Sequence, residues 1–355
     1  MTMTPGCSTP SRGSRRAGPG RLEVRAHSAP EAFARLAPEW RALLAQGRPS
    51  HPFYDPAWHL CWWKHLGSGA LHVCEVRRPG GELAAAAPFT VNEEGLLRLT
   101  GGEDLSDYLD IVAAPGAHAE AWEALLAHLE GPQGPAWKEL RVRGLPGGSP
   151  TLKALTDPDG PARGRALAEP EEVCPVIRLP GSWEDYVGML DARDERELRR
   201  KLRKAFMQSG LEFRRTLSAG RLEADLEEFI RLHALSHPEK SGFWNEARGA
   251  FFREMAQETL RLGWLDLTFL VLDGHPAASN FSLDYEDRIY LYNSGYDPNE
   301  RALSAGLVLL AHNIEEAINA GRGSFDMLRG DEAYKYTFGA ADEPIFRVRL
   351  ARGGA

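Results

Sequence analysis

The sequence predicts an α/β protein, in the α+β sense, with two tandem halves that each form a mixed, mostly antiparallel sheet flanked by helices. Three observations lead there. At 355 residues the chain is long for one hydrophobic core, and roughly 150 residues per domain points to two. One order of elements (strand, two helices, hairpin, strand, helix, strand) can be read twice along the chain, without a residue-level repeat. Gly, Pro and Ser crowd residues 144–150 and 160–164, which puts the boundary near 165. The halves are then 21–165 and 166–355, and residues 1–20, rich in Ser, Arg, Gly and Pro, form a disordered tail.

The first half opens with a strand at 22–27. In the helix over 31–45, Phe33, Leu36, Trp40, Leu43 and Leu44 share one face. A helix at 55–66 precedes strands 71–78 and 82–91, joined by the turn residues Pro79, Gly80 and Gly81. Strands at 96–100 and 108–112, a helix at 117–129 and a strand at 139–142 complete it. A strand at 173–179, a helix at 183–190 and a highly charged helix at 193–208 come next. Glu195/Arg199 and Glu197/Lys201 stand in the favourable i,i+4 order along the charged helix. The second half proper has a strand at 211–217, helices at 222–235 and 248–262, and strands at 265–272 and 277–283 joined by Asp273-Gly274. A strand at 289–293, a helix at 305–320 and a strand at 324–328 close the pattern.

Composition narrows the function classes. Hydrophobic residues at 43% and charged residues at 26% are ordinary globular usage. A net charge of -8 repels nucleic acid and anionic membranes unless a local basic patch intervenes. Cys7, Cys61, Cys74 and Cys174 contain no C-x-x-C pair, so neither a zinc knuckle nor a disulfide framework is expected. No apolar run suits a membrane span or a secretory leader, and the expected place is the cytoplasm. P-loop, dinucleotide-glycine and H-E-x-x-H patterns are missing, and no metal is expected. The oligomeric state is not legible.

The segment from Tyr290 to Gly330 is the most informative. A polar strand end is followed by a small-residue turn and then by a helix striped with Leu307, Leu310, Ile314, Ala317 and Ile318. Ser304 suits the N-cap and Gly321 the left-handed position after the helix. Ala305-Gly306 carries no bulk, so a diphosphate can approach the unpaired amides at the positive end of the helix dipole, with Arg301 adding a bidentate contact. Tight packing alone produces similar turns. The run Tyr296-Asp297-Pro298, Ser304-Ala305-Gly306-Leu307, Phe325-Asp326-Met327-Leu328-Arg329-Gly330-Asp331-Glu332 and Tyr334-Lys335-Tyr336 resembles the bacterial acetyltransferases associated with cellulose biosynthesis (CelD/BcsL type). The likeness spans roughly 190–340 and departs at Ala305, where that family often has Pro.

The resemblance implies the GNAT fold in both halves, a kinship with the FemABX aminoacyltransferases, and acetyl-CoA or another acyl-CoA as co-substrate. It implies that the pyrophosphate sits on Ser304, Ala305, Gly306 and Leu307, and the pantetheine between splayed strands at 289–293 and 324–328. An amide near Asn293 or Ser294 would then face the thioester oxygen. Tyr334, with Tyr336 behind it, is the expected general acid. Asp326 is the preferred base, with Asp331 as an alternative that equally suits helix capping. Arg329 and Lys335 are expected to hold an anionic part of the acceptor or to form surface pairs, and Tyr292 to line its site. His233 is a second possible base, or a buried structural histidine. Lys240, Phe243 and Trp244 lie on a loop expected to close over the acceptor, and Asp107-Tyr108 resembles an acceptor-holding segment.

The reading is therefore an acyl-CoA-dependent N-acyltransferase acting on a primary amine of a small molecule or amino sugar, with coenzyme A in the second half only. Two alternatives stay open. One is a FemX-like enzyme using aminoacyl-tRNA, for which Arg196, Arg199, Arg200, Lys201, Arg203 and Lys204 supply a basic helix. The other is a non-catalytic binding protein of the same fold.

Overall fold

The computed structural model describes residues 21–47 and 50–353, so the tail assigned to residues 1–20 lies outside them. The first pass gives β1 (Glu23–His27), α1 (Glu31–Leu44), α2 (Pro56–Leu66), β2 (Ala70–Arg77), β3 (Leu83–Val91), β4 (Leu96–Leu99), β5 (Val112–Ala113), α3 (His118–Glu130) and β6 (Glu139–Pro146). Then come α4 (Pro150–Thr156), β7 (Ala166–Arg178), α5 (Trp183–Met189) and α6 (Ala192–Phe206). The second pass gives β8 (Leu211–Arg215), α7 (Ala219–Ser236), α8 (Pro238–Phe243), α9 (Glu246–Arg261), β9 (Leu265–Leu272), β10 (His275–Tyr285), β11 (Arg288–Tyr296), α10 (Ala305–Asn319), β12 (Ser324–Asp326), α11 (Ala333–Tyr336) and β13 (Ala341–Ala351).

Local chemistry explains the element ends. Pro56 opens α2 with its fixed φ, while the Asp55 carboxylate accepts from the Ala57 amide at 2.8 Å and from Arg41 at 2.8 Å. The apolar stripe of α1 is buried as the spacing predicts.

Among the described residues, all strands join one sheet in the order β1-β2-β3-β4-β6-β13-β7-β12-β11-β10-β9-β8, with β5 on β3. Each half has antiparallel strands ending in one parallel pair: β4 with β6 in the first, β11 with β12 in the second. A helix, α3 or α10, makes each parallel crossover. The last strand of each pass is exchanged. β7 follows the first half yet pairs with β12, β13 ends the second yet pairs with β6, and the two pair antiparallel with each other. Ladder hydrogen bonds thus run unbroken from one half to the other.

Side chains lock the halves as well. One core cluster combines Trp58 and Tyr108 with Phe229, Phe252 and Tyr292, and Trp58 meets Phe251 edge-on at 5.4 Å between ring centroids. Separate clusters lie under α3 and α10.

Four expectations are corrected. The strand at 108–112 shrinks to Val112–Ala113, because Tyr108 donates to Asp326 at 2.9 Å and the Asp110 carboxylate takes the Ile111 amide at 2.7 Å. The loop at 144–150 leads into α4, capped by the Ser149 hydroxyl at the amides of Thr151 (3.0 Å) and Leu152 (3.2 Å). The loop holding Lys240 and Phe243 is the short helix α8, capped by His237. β13 is an unforeseen strand, because its worth lies in partners distant in sequence.

Candidate active site

β11 and β12 run side by side only from Arg288/Ser324 to Tyr290/Asp326, and then part. Beyond the parting, β11 stays bonded to β10 but bulges at Tyr292: Phe281 faces Asn293, whereas Ser282 faces Leu291. A bulge leaves a ladder position unpaired and re-aims its neighbours. α7 packs directly over this strand, and a Cβ at Gly295 would come within 2.3 Å of the His233 amide nitrogen. Glycine is therefore required there.

A groove of about 590 Å³ runs from the parted strands to the start of α10, lined by Leu291, Ser294, Gly295, Tyr296, Ser304, Ala305, Gly306 and Leu307. The expected Ser304 side-chain cap is not made. Ser304 adopts the left-handed conformation (φ 55°, ψ 42°), and its carbonyl accepts the amides of Leu307 (2.9 Å) and Val308 (3.1 Å). A non-glycine residue held there carries backbone strain, which collects at functional corners. No hydrogen bond from the Gly306 amide to another described residue is made. A Cβ on Gly306 would touch only the Tyr296 ring, at 3.7 Å, so the protein's own packing does not demand glycine at this position. The Arg301 side chain lies outside the described residues.

A second, smaller cavity of about 220 Å³ adjoins the groove across Lys240, Leu291, Ser294, Glu332 and Tyr334, which face both. Asp107, Tyr292, Asn293, Arg329 and Lys335 line this second space. Arg329 donates to Asp107 at 2.7 Å, joining the two halves. Burial raises the Asp107 carboxyl against the pull of Arg329. Lys335 is buried, and its Nζ donates to the carbonyls of Leu328 (3.0 Å), Arg329 (2.8 Å) and Gly330 (3.0 Å). It thereby holds a turn in which Leu328 has φ 56° and Gly330 φ 107°. Tyr292 is fixed by donating to the Leu105 carbonyl at 2.8 Å.

Tyr334 faces the junction of both cavities, and its hydroxyl has no hydrogen-bond partner among the described residues. Burial and the nearby Glu332 charge keep its phenol protonated beyond the usual range. Such a group can donate a proton but not accept one at neutral pH.

His233 and Trp244 line neither cavity. The indole N–H of Trp244 donates to His233 Nδ1 at 3.0 Å, so the proton sits on Nε2, which donates to Asn293 Oδ1 at 3.1 Å. Burial, reinforced by Lys240, holds this imidazole down to about 4. It is neutral with both nitrogens occupied, and its effect is to orient Asn293.

Asp326 and Tyr108 also stand apart from the two cavities. Asp326 is wholly buried, accepting from Tyr108 (2.9 Å), Arg288 (2.9 Å) and the Leu328 amide (2.9 Å). Burial raises its carboxyl while Arg288 opposes the rise. Beside this pair opens a third cavity, about 820 Å³, faced by His51, Tyr108, Arg288 and Tyr290. Asp331 is exposed and lines none of the three, and the N-cap of α11 is Glu332, which makes no side-chain cap. The carboxylate that does face the junction is Glu332, 2.9 Å from Lys335. Sequence reading passed over it, although the Asp331-Glu332 doublet offered two carboxylates; both are exposed, and only the turn decides which borders the cavities.

This arrangement of parted strands and open helix start agrees with a family match in sequence. Residues 192–336 match the acetyltransferase (GNAT) domain. The second half thus carries a GNAT-type domain, as the resemblance implied, and no curated protein sequence matches the chain. Solved structures extend the fold to both halves. FemX aligns with a TM-score of 0.64 at 11% identity over 91% of this chain and 96% of its own. L-PGS from Bacillus licheniformis gives 0.58 at 10% identity, over 92% and 93%. A tandem GNAT protein from the clavulanic acid biosynthesis pathway gives 0.50 at 14% identity, over 94% and 100%. These are likenesses of fold.

Proposed function

We propose that this chain is an acyl-CoA-dependent N-acyltransferase that moves an acetyl or other acyl group onto a primary amine of a small molecule or amino sugar. The observation that carries this reading is the groove joining the start of α10 to the parting of β11 and β12. Amide donors at a helix start suit a pyrophosphate, and the parted strands offer a slot for the pantetheine arm. In this reading the thioester lies by Asn293 and Ser294, where a main-chain amide of the bulge stabilises the developing oxyanion. The amine loses a proton toward Glu332 and attacks the carbonyl carbon. A C–N bond forms as the C–S bond breaks. Tyr334 protonates the departing sulfur and regains a proton from the attacking nitrogen through Glu332 and solvent. Ammonium plus thioester thus becomes amide, thiol and one proton. Asp326, bonded to Arg288 and Tyr108 away from both cavities, takes no part in the transfer in this reading.

Thermal unfolding with increasing acetyl-CoA, and with longer acyl-CoAs in parallel, tests the first step. Saturable stabilisation of about 2.7 kcal/mol at 100 times the dissociation constant is expected; no shift with any acyl-CoA defeats the proposal. Glu332→Gln is expected to keep that stabilisation while slowing transfer by roughly 10²-fold or more.

The likeness to FemX fits an aminoacyl-tRNA-dependent reading equally well in fold. Charge pairing along part of α6 reduces the basic surface that reading needs, although Arg196 and Arg203 make no such pair among the described residues. Arg199 is held by Glu184 and Glu195, Arg200 and Lys201 by Glu197, and Lys204 by the Ala302 carbonyl. Binding of tRNA that falls steeply with salt would favour that second reading.

A further inference from the structure

The smaller cavity is polar, and its charges can be matched one by one. Asp104 receives Arg248 at 2.6 Å, Asp107 receives Arg329 at 2.7 Å, and Glu332 receives Lys335 at 2.9 Å. Among the described residues lining the cavity, Lys240 is the charged group left without an opposite charge in contact. Its Nζ donates to the Ser294 carbonyl at 2.7 Å and makes no ion pair. An ammonium has three donors, so two remain to meet a ligand. The group is half-buried on α8, and burial lowers its pKa while Glu332 pulls the other way. A partly desolvated cation gains most from a partner brought in by the ligand.

We infer that the acceptor is a small primary amine carrying one carboxylate, the chemical class of the free amino acids, with Lys240 binding the carboxylate. This rests on the acyl-transfer reading and narrows its acceptor. One uncompensated positive charge suits a monoanion. A phosphate dianion brings a second negative charge, and the guanidinium of Arg329 that could answer it is already committed to Asp107. About 220 Å³ accommodates a small molecule. Lys240 and Glu332 both face the junction with the cofactor groove, so a ligand whose carboxylate meets Lys240 presents its neighbouring amine beside Glu332 and the thioester end. An amino sugar without an anionic group leaves Lys240 unanswered.

The test reads thermal stabilisation of the protein saturated with coenzyme A, using the twenty common amino acids, their primary amides and glucosamine as probes. At least one amino acid is expected to stabilise with an apparent affinity tenfold or more above that of its amide. Lys240→Met should remove that preference, and Lys240→Arg should retain it in part. Equal binding of acid and amide overturns the inference, as do stabilisation by glucosamine alone, by no probe at all, or an acid preference that survives in Lys240→Met. Failure of the underlying acyl-CoA reading appears separately, as absence of stabilisation by any acyl-CoA before an acceptor is added.

Discussion

The two halves repeat one topology, yet the corner in front of the crossover helix differs between them. Before α10 the backbone turns left-handed at Ser304 and leaves an open groove of about 590 Å³. Before α3 the chain enters through Ala117 in right-handed conformation, and Tyr54, Asp110, Ile111 and His118 line a space of only about 30 Å³ beside it. The Asp110 carboxyl, raised to about 6 by burial and bonded to the Ser149 hydroxyl at 2.6 Å, faces that remnant. An acid there opposes a phosphate. A shared fold thus supplies the helix start, while a few side chains decide whether a ligand can reach it.

The largest expected effect tests whether the halves behave as one body. Arg288→Met strands the buried Asp326, which also ties Tyr108 of the first half to the second. A loss of about 3–5 kcal/mol in denaturant unfolding is expected, within a single transition. Two separated transitions would mean that the exchanged strands do not couple the halves.

Next, Gly306→Trp fills the open corner and should abolish the stabilisation of about 2.7 kcal/mol given by acetyl-CoA at 100 times its dissociation constant. His118→Ala, at the closed corner, should leave it intact. Altered acetyl-CoA affinity in the His118 variant would show that the first half also takes part in binding.

Gly295→Ala sharpens the contrast within the second half, because its Cβ meets the backbone of α7 at 2.3 Å. About 1–3 kcal/mol of stability should be lost, read as a lower denaturant midpoint. The smallest effect at neutral pH belongs to His233→Gln. The native imidazole titrates near 4 instead of its ordinary 6.5. Between those values the unfolded chain binds a proton that the folded chain refuses, so stability falls as pH drops through that window. The variant should show a shallower decline from pH 6.5 to 4; an unchanged slope would mean that His233 is protonated in the folded protein.

Much of the fold was legible because local signals carried it. The stripe Leu307, Leu310, Ile314, Ala317 and Ile318 marked α10, and all are buried except Leu307, which is half-buried and lines the groove. The paired strands around Asp273-Gly274 were equally plain, since alternation and turn chemistry act within a few residues. β13 was not legible, because its residues gain a strand's identity only from β6 and β7. The candidate site divides in the same way. The helix start at 304–307 was readable from small residues next to an apolar stripe. The carboxylate facing the junction was not. Asp326 sits on a three-residue strand whose inward face meets Arg288 and Tyr108, and no spacing rule assigns that face.

The sequence by itself determined the two passes of elements, the amphipathic helices and the low-bulk turn at Ala305-Gly306, because propensity, capping and hydrophobic period are properties of neighbours along the chain. Tertiary structure alone decided the exchange of β7 and β13, the pairing of Asp107 with Arg329 across the halves, and the charge on Lys240 that its neighbours leave uncompensated. Those features depend on which distant groups come within a few ångströms, and hydrogen bonds and ion pairs act only over such distances.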